Sequence, residues 1–124
     1  MQSTSHSFSF RSRVRSLYFA MTGILEFLRE EHNARIHLVA TIAVGVAAYV
    51  ARVTYPEAAA LAIVVGLVWI TEMLNTCVER IMDFVQPEEH PKIKFIKDLA
   101  AGAVLAASFT AVVVGLLIFI PKFK

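Results

Sequence analysis

The chain has 124 residues, of which 57% are hydrophobic and 18% charged, with a net charge of +2 and a mean hydropathy of +0.64. This length suits a single domain, residues 1–124, and the composition is too apolar for an ordinary soluble domain, so we predict a membrane protein. The small net charge gives no reason to expect a nucleic-acid partner, and the single Cys77 excludes an intramolecular disulfide and a multi-cysteine metal site.

An apolar stripe with helical spacing precedes the first long apolar run. It consists of Val14, Leu17, Tyr18, Met21, Ile24, Leu25 and Leu28. Arginines and acids lie elsewhere on the helical wheel. The pattern predicts an amphipathic helix at about residues 10–30 that lies on the membrane surface, with a soluble partner-binding helix as the alternative.

Three apolar runs that are able to cross a bilayer follow this stripe. The first, residues 36–51, lies between Arg35 and Arg52, whose side chains are long enough to reach the interface. The second ends at Glu72, so its helix must carry acids close to the membrane boundary, and the third is residues 99–121. We therefore predict an all-α membrane protein with spans at about 34–53, 57–85 and 97–120.

The distribution of lysine and arginine predicts the orientation of these spans. Nine of the 12 basic residues lie in the N-terminal segment or around the 84–97 loop, and three lie at the opposite ends of the spans. Because cytoplasmic loops are enriched in Lys and Arg, we expect the N-terminus and this loop to be cytoplasmic. The acidic end of the second span then faces the compartment that holds ATP and Mg²⁺.

Polar residues follow one face of the second span. Glu72, Asn75, Glu79 and Asp83 fall within an arc of about 80° on an α-helix. Glu79 and Asp83, taken alone, are also compatible with ordinary solvated positions where a helix leaves the membrane. Glu72 is different, because an ionisable residue near the centre of a span costs about 2.5–3.5 kcal/mol. The alignment of all four favours a functional site.

The residue types on this face are those of metal-dependent phosphate chemistry. Carboxylates seven positions apart can hold a hard cation, and Mg²⁺ uses one or two of them together with substrate phosphates. A partly desolvated glutamate suits a general base for a hydroxyl. Lys97 and Asp98, at the start of the third span, can neutralise a phosphate and help to hold a metal–nucleotide. The glycines form no phosphate-binding loop, which excludes a soluble-type nucleotide fold.

Two motifs and one upstream element carry a family resemblance. The second span contains E-x-x-N-T-x-x-E-x-x-x-D from Glu72 to Asp83, and K-D-x-A-A-G-A-V-L begins at Lys97. Upstream, E-x-N-x-R-I-H runs from Glu31 to His37. Together they resemble the small prokaryotic integral-membrane lipid kinases, which comprise diacylglycerol kinase and undecaprenol kinase, over about residues 10–120.

This resemblance implies an ATP- and Mg²⁺-dependent kinase that phosphorylates a lipid hydroxyl at the cytoplasmic interface of the bacterial inner membrane. Members of the family are homotrimers of three-span subunits with an N-terminal surface helix, and neighbouring subunits share active sites. We therefore expect a multi-pass homotrimer, with ATP and a membrane lipid as partners and Mg²⁺ as the cofactor.

The resemblance also implies roles for individual residues. Glu72 would be the general base, and Glu31 and Glu79 would hold the metal bound to ATP. The residues expected at the nucleotide are Glu31, Glu79, Glu88, His90, Lys97 and Asp98. Those expected at the lipid are Asn33, Arg35, His37, Asn75 and Ala101. Asp83 would support the nucleotide site.

Two questions about function stay open at this point. The segments "NARIH" and "HPKIKFIKDLAAGAVL" resemble the undecaprenol kinase branch more than the diacylglycerol kinase branch, so undecaprenol is favoured and diacylglycerol is the alternative. A rival of another class is a non-enzymatic transporter subunit whose buried Glu72 binds a cation. That interpretation leaves Asn75, Glu79 and the Lys97–Asp98 pair without a role.

Overall fold

The structure, a computed structural model of the chain, describes residues 9–124, and all regular secondary structure in that range is helical. The helices are α1 (Phe10–Glu30), α2 (His32–Ala51), α3 (Tyr55–Val85) and α4 (Pro91–Lys122). By length and composition, α2, α3 and α4 are able to cross a membrane. The predicted all-α membrane fold, with three spans after an amphipathic helix, is confirmed.

The first compact unit of the chain ends at Arg35 and contains α1. Ser9 caps this helix, because its side-chain oxygen accepts a hydrogen bond from the backbone N–H of Ser12 at 3.3 Å. Arg29 lies in the last turn, where a cation is favoured by the helix dipole. α1 is the most amphipathic of the four helices, and Phe27 is its one buried residue.

The second unit, Ile36–Lys124, contains most of α2 and all of α3 and α4. α2 ends at Ala51, two residues before the predicted end of the first span, because Arg52 adopts a left-handed φ of 56°. The backbone N–H groups of Arg52 and Val53 donate to the carbonyl oxygens of Tyr49 and Ala48 at 3.3 and 3.2 Å. These two bonds form a Schellman motif with an arginine where glycine is usual.

α3 begins with a capping box. Thr54 Oγ1 accepts from the Glu57 backbone N–H at 3.3 Å, and Glu57 Oε1 accepts from the Thr54 backbone N–H at 2.8 Å. The same carboxylate oxygen lies 2.9 Å from Lys122 Nζ, which ties the first turn of α3 to the last turn of α4. α3 and α4 are therefore antiparallel neighbours.

The buried face of α3 positions the site. Leu61, Val64, Val68 and Glu72 are its buried residues, and their spacing of three and four places them on one face. α3 has 31 residues and α4 has 32, so at 1.5 Å per residue both exceed a hydrocarbon core of about 30 Å. One part of each helix therefore extends beyond the apolar layer.

The short connection from α3 to α4 completes this extension. α3 ends at Val85, and the Gln86 backbone N–H donates to the Met82 carbonyl oxygen at 2.9 Å. α4 starts at Pro91, six residues before the predicted start of the third span, because Pro91 at a first-turn position and His90 as the cap begin the helix there. Lys94, Lys97 and Asp98 consequently lie on a helix that faces the end of α3.

Candidate active site

The polar string of α3 continues the line of its buried apolar stripe. Counted at about 100° per residue, Asn75, Glu79 and Asp83 fall within about 60° of the direction set by Leu61 and Glu72. The same face is thus apolar along its first half, where α3 packs on α4, and acidic along its second half. Glu72 stands at the junction of the two halves.

Glu72 is the one buried polar or charged residue among residues 9–124, with 8% of its surface exposed. Its Oε1 lies 2.9 Å from His37 Nε2, on α2. A buried carboxylate is costly unless a partner compensates for the lost water, and His37 is that partner. Because the acceptor is a carboxylate, the ring nitrogen that faces it carries the proton. The structure thus brings together two residues that the sequence assigned to different roles.

A second polar contact joins the same two helices next to the first. The indole N–H of Trp69 donates to Thr41 Oγ1 at 2.8 Å, and Thr41 Oγ1 in turn donates to the backbone carbonyl oxygen of His37 at 2.7 Å. The rings of His37 and Trp69 meet edge to face with centroids 6.3 Å apart. These contacts set the rotation of α2 against α3 at the level of Glu72.

Asn75 and Glu79 are linked one turn further along α3. Asn75 Nδ2 donates to Glu79 Oε1 at 3.3 Å. Asn75 Oδ1 is buried and has no hydrogen-bond partner in the part of the chain that the structure describes. A buried acceptor without a partner costs about 1–3 kcal/mol, so native proteins keep such atoms mainly where a ligand or water meets them.

The end of α3, the loop and the start of α4 line an open cavity of about 620 Å³, called the polar cavity here because many of its lining residues are charged. Four of the residues expected at the nucleotide line it together with Asp83, and the full lining is Asp83, Gln86, Pro87, Glu88, Glu89, His90, Pro91, Ile93, Lys94, Lys97 and Asp98. Lys97 Nζ lies 2.8 Å from Asp83 Oδ1, across the two helices, and Lys94 Nζ lies 2.6 Å from Asp98 Oδ2. Each lysine of this cavity is therefore paired with a carboxylate.

A second cavity, of about 440 Å³, lies between α2, α3 and α4 and is mainly apolar. Three of its lining residues, His37, Thr41 and Trp69, also form the hydrogen bonds between and along α2 and α3 described above. The full lining is His37, Ala40, Thr41, Val44, Val65, Val68, Trp69, Ser108, Ala111, Val112, Gly115, Leu116 and Phe119. The cavity is thus a groove along the spans with His37, the partner of Glu72, at one end.

Comparison with known proteins decides the family. The sequence model of the family described as "Prokaryotic diacylglycerol kinase" matches residues 18–119. The chain belongs to this family. Undecaprenol kinase of Bacillus subtilis (strain 168) is 33% identical over 122 residues, which are 98% of this chain and 99% of that protein. Diacylglycerol kinase of Synechocystis sp. is 37% identical over 107 residues, which are 86% of this chain and 61% of that protein.

As a member of the prokaryotic diacylglycerol kinase family, the chain is a lipid kinase of the membrane. A kinase of this family uses ATP as the phosphate donor and a lipid as the acceptor. The resemblance drawn from the motifs is therefore confirmed, and so is the predicted enzyme class. The transporter interpretation is not supported by either relative.

The remaining residues expected at the site of this lipid kinase belong to the first unit, to α4 or to its N-terminal cap. Glu31, Asn33 and Arg35 belong to the first unit of the chain, whereas Glu72 and Glu79 belong to the second. Ala101 is exposed on α4. His90, expected at the nucleotide, also has a structural task, since its Nδ1 accepts from the Lys92 backbone N–H at 3.1 Å and caps α4.

The sequence analysis missed three residues that the structure places at the site. Lys94 lines the polar cavity, and Thr41 and Trp69 connect α2 to α3 beside Glu72. A signal for the last two was present in the sequence. Thr41 lies four residues after His37 and Trp69 three residues before Glu72, so each shares a helix face with a residue already singled out.

The donor set of the polar face fits a magnesium ion held with a nucleotide. Within residues 9–124 no three His, Cys, Asp or Glu side chains form a metal-binding group. Mg²⁺ nevertheless needs only one or two protein carboxylates when phosphates supply further ligands. Glu79 offers such a carboxylate on this face, and the Asn75 amide N–H donates to its Oε1 at 3.3 Å.

Proposed function

We propose that the protein transfers the γ-phosphate of ATP to the hydroxyl of undecaprenol at the cytoplasmic face of the bacterial inner membrane. The observation that carries the proposal is the position of Glu72, a buried carboxylate whose partner His37 stands at the end of an apolar groove. The relative named undecaprenol kinase matches this chain over nearly the whole length of both proteins. Diacylglycerol is the second candidate, because the relative named diacylglycerol kinase matches 86% of the chain.

Glu72 is the proposed general base of this reaction. The lipid hydroxyl oxygen forms the new bond to the γ-phosphorus, the bond to the ADP oxygen breaks, and the hydroxyl proton moves to the Glu72 carboxylate. Positioned proton transfer of this kind contributes about 10²- to 10⁴-fold to a rate. Burial suits the role, because few water molecules have to leave the carboxylate before the lipid hydroxyl can form a hydrogen bond to it.

Asn75 is proposed to orient the reacting groups. Its buried Oδ1, which has no partner in the described chain, lies about one turn beyond Glu72 on the same face of α3. It can accept a hydrogen bond from a polar group of the bound reactants, while the single proton of the lipid hydroxyl goes to Glu72. Asn33, Arg35, His37 and Ala101 complete the proposed lipid site. The assignment of these four comes from the family motif.

The polar cavity is proposed to bind ATP. Its lysines, Lys97 and Lys94, supply positive charge for the phosphates, and both lie on the first turns of α4. Glu88, His90 and Asp98 line the same cavity, and Asp83 holds Lys97 in place. Kinases rely mainly on positioning and charge neutralisation, for which these groups are sufficient.

Mg²⁺ bound to ATP would be held by Glu31 and Glu79. When bound, the ion neutralises charge on the phosphates and draws them into position. Glu79 is already oriented for this by the hydrogen bond from Asn75.

The assembly and orientation are proposals that follow from the family and from charge. We propose a homotrimer with its N-terminus in the cytoplasm and, as in the family, active sites shared between subunits. The basic residues of the N-terminal segment and of the 84–97 loop support this orientation. The exposed small residues Gly102, Ala103 and Ala106 on α4 support the assembly, because they allow close approach of a second helix.

The test is phosphate transfer from labelled ATP in mixed micelles that contain either undecaprenol or diacylglycerol. Glu72→Gln and Glu79→Gln are compared with wild type, and Glu57→Gln serves as the control because Glu57 lies at the other end of α3. We expect transfer to undecaprenol that both site variants abolish and the control retains. Transfer to diacylglycerol alone would make diacylglycerol the substrate in place of undecaprenol. Transfer that survives Glu72→Gln would show that Glu72 is not the general base. No transfer to either lipid by folded protein would contradict the kinase proposal.

A further inference from the structure

The carboxylate of Glu72 is held by one oxygen only. Oε1 lies 2.9 Å from His37 Nε2, and that contact is the single hydrogen bond of this side chain within residues 9–124. The other oxygen, Oε2, is not among the buried atoms without a partner, so it remains accessible. An anchored oxygen beside an accessible one leaves the second oxygen free to accept a proton in a defined direction.

His37 is itself held by the two helices that it joins. Thr41, one turn later on α2, donates to the His37 carbonyl oxygen and accepts from the Trp69 indole N–H. Trp69 also packs its ring edge to face against the His37 ring. The imidazole is therefore constrained by a ring contact from α3 and by the backbone of α2, and three quarters of its side chain is buried.

We propose that His37 is a positioning residue that holds the Glu72 carboxylate so that Oε2 points to the lipid hydroxyl. This role differs from the direct lipid contact that the family motif implies for His37, and it rests on the proposed function of Glu72 as the base. His37 keeps its proton throughout the reaction. It acts through orientation, and displacement of a catalytic group by about 1 Å can cost about 10²-fold in rate.

The proposal separates kcat from KM. A residue that only orients the base affects the reacting complex, so His37→Ala is expected to lower kcat about 10²-fold with little change in the KM for the lipid. A residue that contacts the lipid directly would instead raise that KM. His37→Gln is the conservative variant, because the glutamine amide can place an N–H donor close to the position of Nε2.

The experiment measures kcat and lipid KM for wild type, His37→Ala, His37→Gln and Thr41→Val. Thr41→Val is the matched control, since it breaks the other α2–α3 polar contact and leaves the His37–Glu72 bond in place. Emission from Trp69, the single tryptophan of the chain, reports whether the helix contact survives in each variant. We expect His37→Ala to lose kcat, His37→Gln to recover at least a tenth of it, and Thr41→Val to lose less than His37→Ala.

Three outcomes would overturn the proposal. They are an unchanged kcat in His37→Ala, a raised lipid KM as its main effect, or an equal loss in Thr41→Val with no rescue by His37→Gln. If His37→Ala does not fold, as its Trp69 emission would show, the comparison of His37→Gln with Thr41→Val decides. Glu72→Gln is measured alongside, because transfer that survives it contradicts the proposed base itself and not only the role of His37.

Discussion

Glu72 occupies a position where an apolar side chain would continue the buried stripe of α3, and this makes a testable prediction about stability. Leu61, Val64 and Val68 precede it on the same face, and its side chain is 10% exposed. We predict that Glu72→Leu abolishes phosphate transfer without destabilising the protein. A carboxylate placed there for function alone should be replaceable by leucine with no loss of stability.

The expected magnitude follows from two opposing terms. On insertion scales an ionisable residue within a span is disfavoured by about 2.5–3.5 kcal/mol and leucine is favoured by about 0.3–0.6 kcal/mol. Against this stands the lost hydrogen bond to His37, which is worth about 1.5–3 kcal/mol when one partner is charged. The gain from replacing an ionisable residue by leucine is therefore about equal to the loss of the hydrogen bond or larger than it. The free energy of unfolding should therefore be unchanged or raised by up to about 2.5 kcal/mol.

The assay is thermal unfolding in detergent, followed by the amount of protein that stays in solution after heating, together with transfer activity. Leu61→Ala is the matched control for sensitivity, because Leu61 is 5% exposed on the same stripe and should lose about 2–5 kcal/mol. A clear drop in the melting temperature of Glu72→Leu, comparable to that control, would refute the reasoning. It would show that the Glu72–His37 bond stabilises the fold.

Three further predictions follow from other contacts. Lys97→Met should raise the KM for ATP about 10- to 100-fold, because Lys97 lines the polar cavity. Lys97→Arg should stay closer to wild type. An unchanged KM in Lys97→Met would remove Lys97 from the nucleotide site. Arg52→Gly should raise the free energy of unfolding, measured by chemical denaturation, by about 0.5–1 kcal/mol, because glycine adopts the left-handed φ of 56° without strain. A loss of stability would mean that the contacts of the arginine side chain outweigh the backbone strain. Mg²⁺–ATP should slow hydrogen exchange of backbone amides in the segment 86–98, which supplies most of the residues that line the polar cavity. The lack of any slowing would place the nucleotide elsewhere.

Local patterns in the sequence were sufficient for the fold class and for much of the site. Three long apolar runs predicted three spans, and these are α2, α3 and α4. The period of 3.6 residues predicted that Glu72, Asn75, Glu79 and Asp83 share a face, which α3 bears out as one unbroken helix. Helix ends were less predictable, because they depend on caps. The left-handed Arg52 ended α2 early, and the His90 cap began α4 six residues before the predicted start of the third span.

The sequence by itself determined that this chain is a helical membrane lipid kinase, because hydropathy and the family motifs depend only on the order of residues. The tertiary structure alone decided which side chains meet. His37 and Glu72 are 35 positions apart and Asp83 and Lys97 are 14 apart, and helical periodicity says which way a side chain points but not which helix it faces. That choice depends on the packing of α2 and α4 against α3. This packing placed a histidine beside the buried carboxylate and lysines beside the polar cavity.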